Sequence, residues 1–454
     1  MEDLRDPLSD PSRYPLCYRM AESGPVLLRE VLERRGWFMP SPLYALSVAR
    51  KCFGELDRGR QTCCRFRLSD YESCSSFQRI NHFPNTAVIT KKVVHCSMPL
   101  ALHQGDADVS KQELTDALLQ RAKYRTVSSV CCTFTLPNDY TKFVRVYSDE
   151  DEKGKKGAWI CKPADLSRGR GIFVFRDLTE LTYDFHAVVQ RYISDPQVIS
   201  GYKYDIRCYV LVRSYNPLTI YLYEEGLTRF ATVPYDINSL SDKFAHLTNT
   251  SINKYSPTLH TCKDDVGPGC KWTLGKLRIY FSNRGWDFDR VWSRMKGLII
   301  LTLLPLAPNI KPVSNGCFEL YGFDILLDQA MKPWLLEVNL SPALAADTQT
   351  DLDVKIPLLD DVVTAIGIKE SDGEAAMLEV LNLDQKPPKP PRSPISRRTS
   401  TPKIPERFAG PCFPDRVGQF TKIYPFRLGK PQSLQPTKDN LRSIVAEVRK
   451  EYLS

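Results

Sequence analysis

The chain has 454 residues, 42% of them hydrophobic, with a formal net charge of +9, enough apolar chain for two or three packed domains and too much for wholesale disorder. Its longest strongly apolar stretch, 298–307, is about half of the ~20 residues a membrane-spanning helix needs and is interrupted by Pro305, so no membrane span is expected. The fourteen cysteines include adjacent pairs at 63–64 and 131–132 and no CxxC spacing. With an acidic, Pro-containing start (MEDLRDPLSDPS) that lacks a secretory pattern, they predict free thiols in a reducing compartment rather than disulfides or a thiolate metal site.

In chain order, residues 24–35 carry apolar side chains at helical spacing and end at Gly36-Trp37, which predicts an amphipathic helix; 111–123 predict another. The stretch 51–80, dense in Cys, Ser and Arg, has no clear period. Short β-branched or aromatic runs between turn residues then predict strands at 158–161, 171–175, 188–192, 205–212, 218–223 and 230–233. Helical patterns return at 272–283 and 288–304, and 354–366 predicts a closing helix. From 385 to 454 fifteen Lys/Arg face five Asp/Glu, a balance of +10 that leaves the first 384 residues at −1. This segment opens QKPPKPPRSPISRRTSTPKIP, which predicts an extended, mobile tail in which only 439–453 has the pattern of a short helix. It is either a solvated linker or an attractor for an acidic polymer or surface.

The most informative stretch is 317–339, CFELYGFDILLDQAMKPWLLEVN. Two alternating apolar runs, 323–327 and 334–338, flank a turn-prone 328–333, the pattern of a hairpin. A register centred on that turn sets Asp324 opposite Glu337, with Asn339 two residues on and on the same face. Directly opposed Cβ atoms lie roughly 4.5–5.5 Å apart, so the two carboxylates repel unless a cation sits between them. Two carboxylates and an amide oxygen suit Mg²⁺, which keeps the rest of its shell for water and phosphates. An ordinary hairpin with a solvated polar face carries the same residues.

Three further segments bear on phosphate chemistry. Lys162 ends one strand and a basic Gly-rich loop, 167–171 (SRGRG), precedes the next; glycines let the backbone approach phosphate oxygens, although a tight basic hairpin has the same composition. In KYDIRCYVLV, Lys203, Asp205 and Arg207 share one face of a strand, opposite Tyr204, Ile206 and Cys208. Such charges are costly at the start of a core strand unless paired or facing a charged ligand, and a surface ion-pair ladder is the alternative. His246 in the loop HLTN is uninformative alone.

Taken together, the chain resembles the tubulin tyrosine ligase-like family. The ordered motifs are NHFP (81–84), LPNDYTKF (136–143), WICKP with SRGRGI (159–172), VVQRYI (188–193), GYKYDIR (201–207), YEEGLTRFAT (223–232), AHLTNTSINK (245–254), GCKWTL (269–274), ELYGFDILLD (319–328) and WLLEVNLSPAL (334–344). They cover roughly 80–370, and the likeness is to members that add glutamate rather than tyrosine. The resemblance implies an α/β (α+β) ATP-grasp fold, with a partly atypical N-terminal region at 1–80, a central lobe at 81–187, a second lobe holding Mg-ATP at 188–370, and a mostly disordered basic tail at 371–454. It implies that Lys92, Lys162, Arg168, Gly169, Lys203, Asp205, Thr248, Asn249 and Asn339 contact nucleotide, with Gln190, Arg191, Tyr192 and Ile193 as the hinge against adenine. Arg229, Lys271 and Lys355 would hold the carboxylates of incoming glutamate, and Asp324, Glu337 and Asn339 would carry Mg²⁺.

The function so implied is ATP-dependent addition of free L-glutamate to glutamate side chains in the acidic C-terminal tails of tubulin. The acceptor carboxylate becomes an acyl phosphate, which the donor amine then displaces. Arg207 is the candidate for stabilising the oxyanion, beside Glu337 at the metal. The expected setting is a cytoplasmic monomer on microtubules, with the base of a cilium or flagellum as one location, and without nucleic acid. The alternatives are a microtubule-binding pseudoenzyme, which the intact Asp324/Glu337/Asn339 set disfavours, and a ligase using glycine or a non-tubulin acidic acceptor. Residues 51–76, Val93 and Thr250 depart from the family pattern.

Overall fold

The computed structural model describes residues 16, 18, 20, 24–37, 71, 79–90, 132–154, 156–164, 166, 169–182, 186–259, 266–267, 269–310, 316–368, 413–426, 435–437 and 439–453. The expected helix at 111–123 and most of 51–80 lie outside them, as do Lys92 and Arg168.

After helix α1 (Val26–Arg34) the chain builds a four-stranded antiparallel sheet from β1 (Thr133–Leu136), β2 (Trp159–Pro163), β3 (Phe173–Phe175) and β4 (Ala187–Arg191), in the order β1-β4-β2-β3. Helix α2 (Tyr140–Glu152) covers it through Phe143 and Tyr147, which join Phe134, Trp159 and Phe175 in one apolar cluster. A larger antiparallel sheet follows. Its first members are β5 (Val198–Ile199), β6 (Tyr202–Tyr215) and β7 (Leu218–Phe230). The short helices α3 (Lys243–His246) and α4 (Thr250–Asn253) lead to β8 (Lys271–Thr273), α5 (Leu274–Asn283) and α6 (Phe288–Leu303). Then come β9 (Glu319–Leu327), β10 (Pro333–Asn339), α7 (Gln349–Ala365), β11 (Arg416–Val417), β12 (Phe420–Tyr424) and α8 (Leu441–Tyr452). The strand order is β10-β9-β6-β7-β12-β11, with β5 on β6 and β8 on β7. Two antiparallel sheets with helices agree with the expected ATP-grasp architecture, and no helix of the described residues is long and apolar enough to cross a membrane.

Strand β6 shows why the large sheet has two cores. Its alternation sends Tyr204, Ile206, Cys208, Val210 and Val212 into the cluster under α5, α6 and α8, and Tyr209 and Leu211 into a second cluster with α1 and α7. On that second face, Lys203, Asp205 and Arg207 precede Tyr209, so the face is charged at one end and apolar at the other. Helix α7 spans the distance between them. Its N-terminus is a capping box of Thr348 and Asp351; its last carbonyls accept from Arg213 (Nη2 to Ile366 O, 2.9 Å) and Arg79 (Nε to Ile366 O, 3.1 Å), cations at the negative end of the helix dipole.

Three expectations need correction. The strand expected at 218–223 runs on as β7 to Phe230, because the acids Glu224 and Glu225 sit where the pairing with β6 shifts register and interrupt the alternation without breaking the strand, and of the strand expected at 230–233 only Phe230 is in a strand, the last residue of β7. The pattern at 272–283 begins as β8 and turns helical only after Thr273, whose side chain caps α5. The tail is not wholly an extended linker: β12 pairs with β7 (Phe420 opposite Tyr223, Tyr424 opposite Ile220), and Ile423, Tyr424, Leu441, Ile444, Val445 and Val448 belong to the main core. Helix α8 lies so close to α6 that a Cβ on Gly297 would come within 2.9 Å of Tyr452 Cβ.

Candidate active site

The two sheets meet at an open cleft. The small sheet contributes Lys162, Gln190 and Arg191, followed by Tyr192 and Ile193; the large sheet contributes Lys203, Asp205, Asp324 and Glu337; Gly169 and the loop 246–249 close the sides. Lys162 Nζ donates to Gln190 Oε1 at 2.8 Å, so the two residues are held together on neighbouring strands. The turn at Gly169 has φ +74°, and a Cβ there would meet Ile252 Cδ1 at 2.3 Å, so this loop passes against α4 at a position only glycine allows.

The hairpin β9–β10 has the expected pairing, Glu337 opposite Asp324 and Asn339 opposite Gly322. A register shift between Leu335 and Glu337 produces it: without that bulge Asp324 would face Leu336. Asn339 Nδ2 lies 3.4 Å from both Asp324 Oδ2 and Glu337 Oε1. The ion pairs around Asp324 were not foreseen. Arg207 grips it through Nε and through Nη2 (3.0 Å to Oδ2), and Arg229 Nη2 reaches the same Oδ2 at 2.9 Å. Arg229 also holds Asp205 in a fork (2.7 and 2.6 Å), and Thr248 Oγ1 donates to Asp205 Oδ2 at 2.7 Å.

The expectation that the two carboxylates need a cation between them is therefore revised. Burial alone would raise the Asp324 carboxyl, but Arg207 and Arg229 outweigh it and hold it well below the usual carboxylate range. Glu337 carries the remaining strain: burial and then the neighbouring Asp324 push its carboxyl up. No cluster of three His, Cys, Asp or Glu side chains suited to a metal occurs among the described residues. The donor set is two carboxylates and Asn339, whose amide would present Oδ1 after a half-turn. That set fits a hard cation completed by phosphate and water, because the destabilised Glu337 carboxylate gains most from one.

The expected glutamate-binding cations are distributed differently. Arg229 and Lys271 are paired neighbours on β7 and β8, but Arg229 is engaged with Asp205 and Asp324. Lys271 and Lys355 both grip Asp351, at 2.7 and 2.8 Å. Burial would raise Asp351, but these two lysines bring it down to about 2, while burial lowers the Lys355 ammonium in spite of Asp351. Arg191, expected at the hinge, turns its guanidinium to Glu150 and stacks it 4.1 Å from the Trp159 ring centre. Missed from the sequence were the apolar lining Ile160, Ile172, Leu247, Leu326 and Leu336, a surface suited to a flat base, and Asp351, whose Thr348-x-x-Asp351 capping pattern was a readable signal.

Residues 70–373 match the family described as the tubulin-tyrosine ligase family. The chain is 39% identical over 380 residues to the probable tubulin polyglutamylase TTLL2 of Homo sapiens, an alignment covering 80% of this chain and 58% of that protein. It is 41% identical over 366 residues to the Mus musculus protein of the same name (77% of this chain, 61% of the relative) and 35% identical over 367 residues to the tubulin polyglutamylase TTLL5 of Mus musculus (78% and 25%). The chain thus spans about three fifths of the length of the first two relatives.

Proposed function

The chain belongs to the tubulin-tyrosine ligase family, and on that premise we propose that it is an ATP-dependent ligase that joins free glutamate to glutamate side chains in the acidic C-terminal tails of tubulin. The observation that carries the reading is the convergence of Lys162 and Lys203, from two different sheets, on a cleft that also holds the Asp324/Glu337 pair and an apolar lining. Cations from both walls suit a polyphosphate, and the apolar lining suits its base.

An acceptor carboxylate oxygen attacks the γ-phosphorus of ATP, the bond to the β-phosphate oxygen breaks, and ADP leaves. The donor amine then attacks the acyl carbon, phosphate departs with the acyl oxygen, and the amine loses a proton as the amide forms. Mg²⁺ held by Asp324, Glu337 and Asn339 would supply charge neutralisation on the phosphates. Lys162 and Lys203 bind phosphate oxygens from the two walls. Arg207 has Nε and Nη2 on Asp324, which aims its planar fork along one line and leaves the oxyanion to its outer edge. Lys271 and Lys355, with Arg229, form the cationic end of the site for the donor's carboxylates.

Incubating the chain with tubulin, Mg-ATP and labelled glutamate, glycine or tyrosine tests this. Glutamate is expected to be incorporated, with product mass spectrometry placing it on tubulin side-chain carboxylates. Incorporation of glycine or tyrosine instead, or ATP-independent labelling, would overturn the reading.

A further inference from the structure

His246 was uninformative in the sequence, yet it lies on the cleft wall beside Tyr192 and Lys203 and is 2% exposed. The three side chains form a chain of hydrogen bonds: Lys203 Nζ donates to Tyr192 OH at 2.9 Å, Tyr192 OH lies 2.7 Å from His246 Nδ1, and His246 Nε2 lies 3.0 Å from Ser239 O. The ends and the short 2.7 Å contact set the direction of this chain, with Tyr235, whose hydroxyl donates to Ser194 O, as the other neighbour of the Tyr192 hydroxyl. Ser239 O is a carbonyl and only accepts, so Nε2 carries the proton. In a neutral ring Nδ1 is then a bare acceptor, and Tyr192 gives it the hydroxyl proton. The Tyr192 oxygen keeps its lone pairs for the ammonium, a cation that donates only. Burial, with the charge of Lys203 adding to it, keeps the imidazole below its ordinary value, which favours the neutral ring.

The aromatic rings fix this arrangement. His246 packs edge-on against Tyr192 and Tyr235, with centroids 5.6 and 5.3 Å away, and Lys203 Nζ lies 4.5 Å from the Tyr192 ring centre. A lysine on four rotatable bonds samples many positions unless something holds its end. Here a phenol oxygen, itself oriented by an imidazole, does so.

On the proposed use of the cleft for ATP, we infer that His246 is a positioning residue that acts through Tyr192 to hold the Lys203 ammonium for a phosphate oxygen of the nucleotide. Its effect is specific to the phosphate end of the ligand. The experiment is equilibrium binding of a non-hydrolysable ATP analogue with Mg²⁺, and separately of adenosine, to the full chain and its variants. His246→Leu is expected to weaken the ATP analogue about tenfold and leave adenosine affinity unchanged, and Tyr192→Phe to weaken the ATP analogue by a similar factor. His246→Asn, which returns an acceptor oxygen near the Nδ1 position, should recover most of the loss. In a Lys203→Met background, His246→Leu should add nothing further. Equal weakening of adenosine and the ATP analogue, no rescue by His246→Asn, or full additivity with Lys203→Met would overturn the inference and leave His246 a packing residue. Failure of the unsubstituted chain to bind the ATP analogue would overturn the proposed function and this inference with it, whereas undiminished binding by His246→Leu and Tyr192→Phe, with Lys203→Met still weakened, overturns the inference alone.

Discussion

Removing the C-terminal segment separates a tether from a structural part of the fold. A chain ending at residue 400 loses Phe420, Ile423, Tyr424, Leu441, Ile444, Val445 and Val448, each at most 7% exposed, and uncovers the edge of β7, the core under α6 and, at Phe420, the second cluster beside α7. At about 1.5–3 kcal/mol for each buried apolar side chain, these seven contribute roughly 10–20 kcal/mol. That is as large as the ~5–15 kcal/mol that holds a typical domain together. The truncated chain is therefore expected to be unfolded or insoluble, read as soluble yield, far-ultraviolet circular dichroism and loss of a cooperative melt. Phe420→Ala gives a graded version, with an expected loss of about 3–5 kcal/mol in urea unfolding of the full chain. A soluble truncated protein that melts at the full chain's temperature would refute the reasoning and return the whole tail to the role of a charged linker.

Three other perturbations address the site. Arg229→Ala leaves Asp205 and Asp324 buried with one guanidinium fewer between them, so stability should fall by about 3–5 kcal/mol in urea titration, together with ligation; a variant as stable as the parent would mean that these pairs are energetically inert. Glu337 has a folded value raised above its unfolded one, so its contribution to stability is fully present at low pH and is lost as pH rises through the folded value. Glu337→Gln should accordingly melt like the parent near pH ~4 and above it near pH ~7 without metal, while ligation is lost; a lower melting temperature at neutral pH would contradict the assigned strain. Asp351, depressed to about 2 from 3.8, contributes stability that is complete above its unfolded value and disappears as pH falls through the folded one. Asp351→Asn should cost about 2 kcal/mol at neutral pH and almost nothing near pH ~2, measured by urea unfolding at both, and an equal cost at both would show that the lost cap, not the charge, is responsible.

Legibility of the fold followed the range of the interactions. The hairpin was readable because its alternation, its turn and its facing acids all lie within 317–339, and the charged face of β6 was readable because strand periodicity is local. Motif order brought Lys162, Gln190, Lys203, Asp205, Asp324 and Glu337 to one cleft. What could not be read was pairing at long range. Nothing near Lys271 says that it meets Asp351, 80 positions away, and nothing near Arg207 says that it meets Asp324, 117 positions away. The tail misled for a related reason: its Lys and Arg dominate the composition, while a five-residue strand and one helical face carry the burial. Ile160, Leu247, Leu326 and Leu336 carry no mark that separates a ligand-facing apolar residue from a core one.

The placement of charge on β6 explains how a single strand can organise this cleft. Lys203, Asp205 and Arg207 project from one face at intervals of about 6.8 Å, and each is tied to a different wall. Lys203 is tied to Tyr192 beyond the small sheet, Asp205 to Arg229 on β7 and Thr248 in the side loop, and Arg207 to Asp324 on β9. None of the three can shift without pulling on its partner, so the distance from the first charge to the last is set by the backbone rather than by flexible side chains. The two intervals together span about 14 Å, from Lys203 beside Tyr192 to Arg207 beside the carboxylate pair. The signs along the strand alternate, plus, minus, plus. Arg229, beside Asp205 on β7, neutralises the middle charge, and Arg207 is itself paired with Asp324, so Lys203 is the cation of this face that lines the cleft, with the Asp324/Glu337 pair at the other end. A polyphosphate lying along this strand would be gripped at one end by Lys203 and would meet at the other the carboxylates that a divalent cation shares with it.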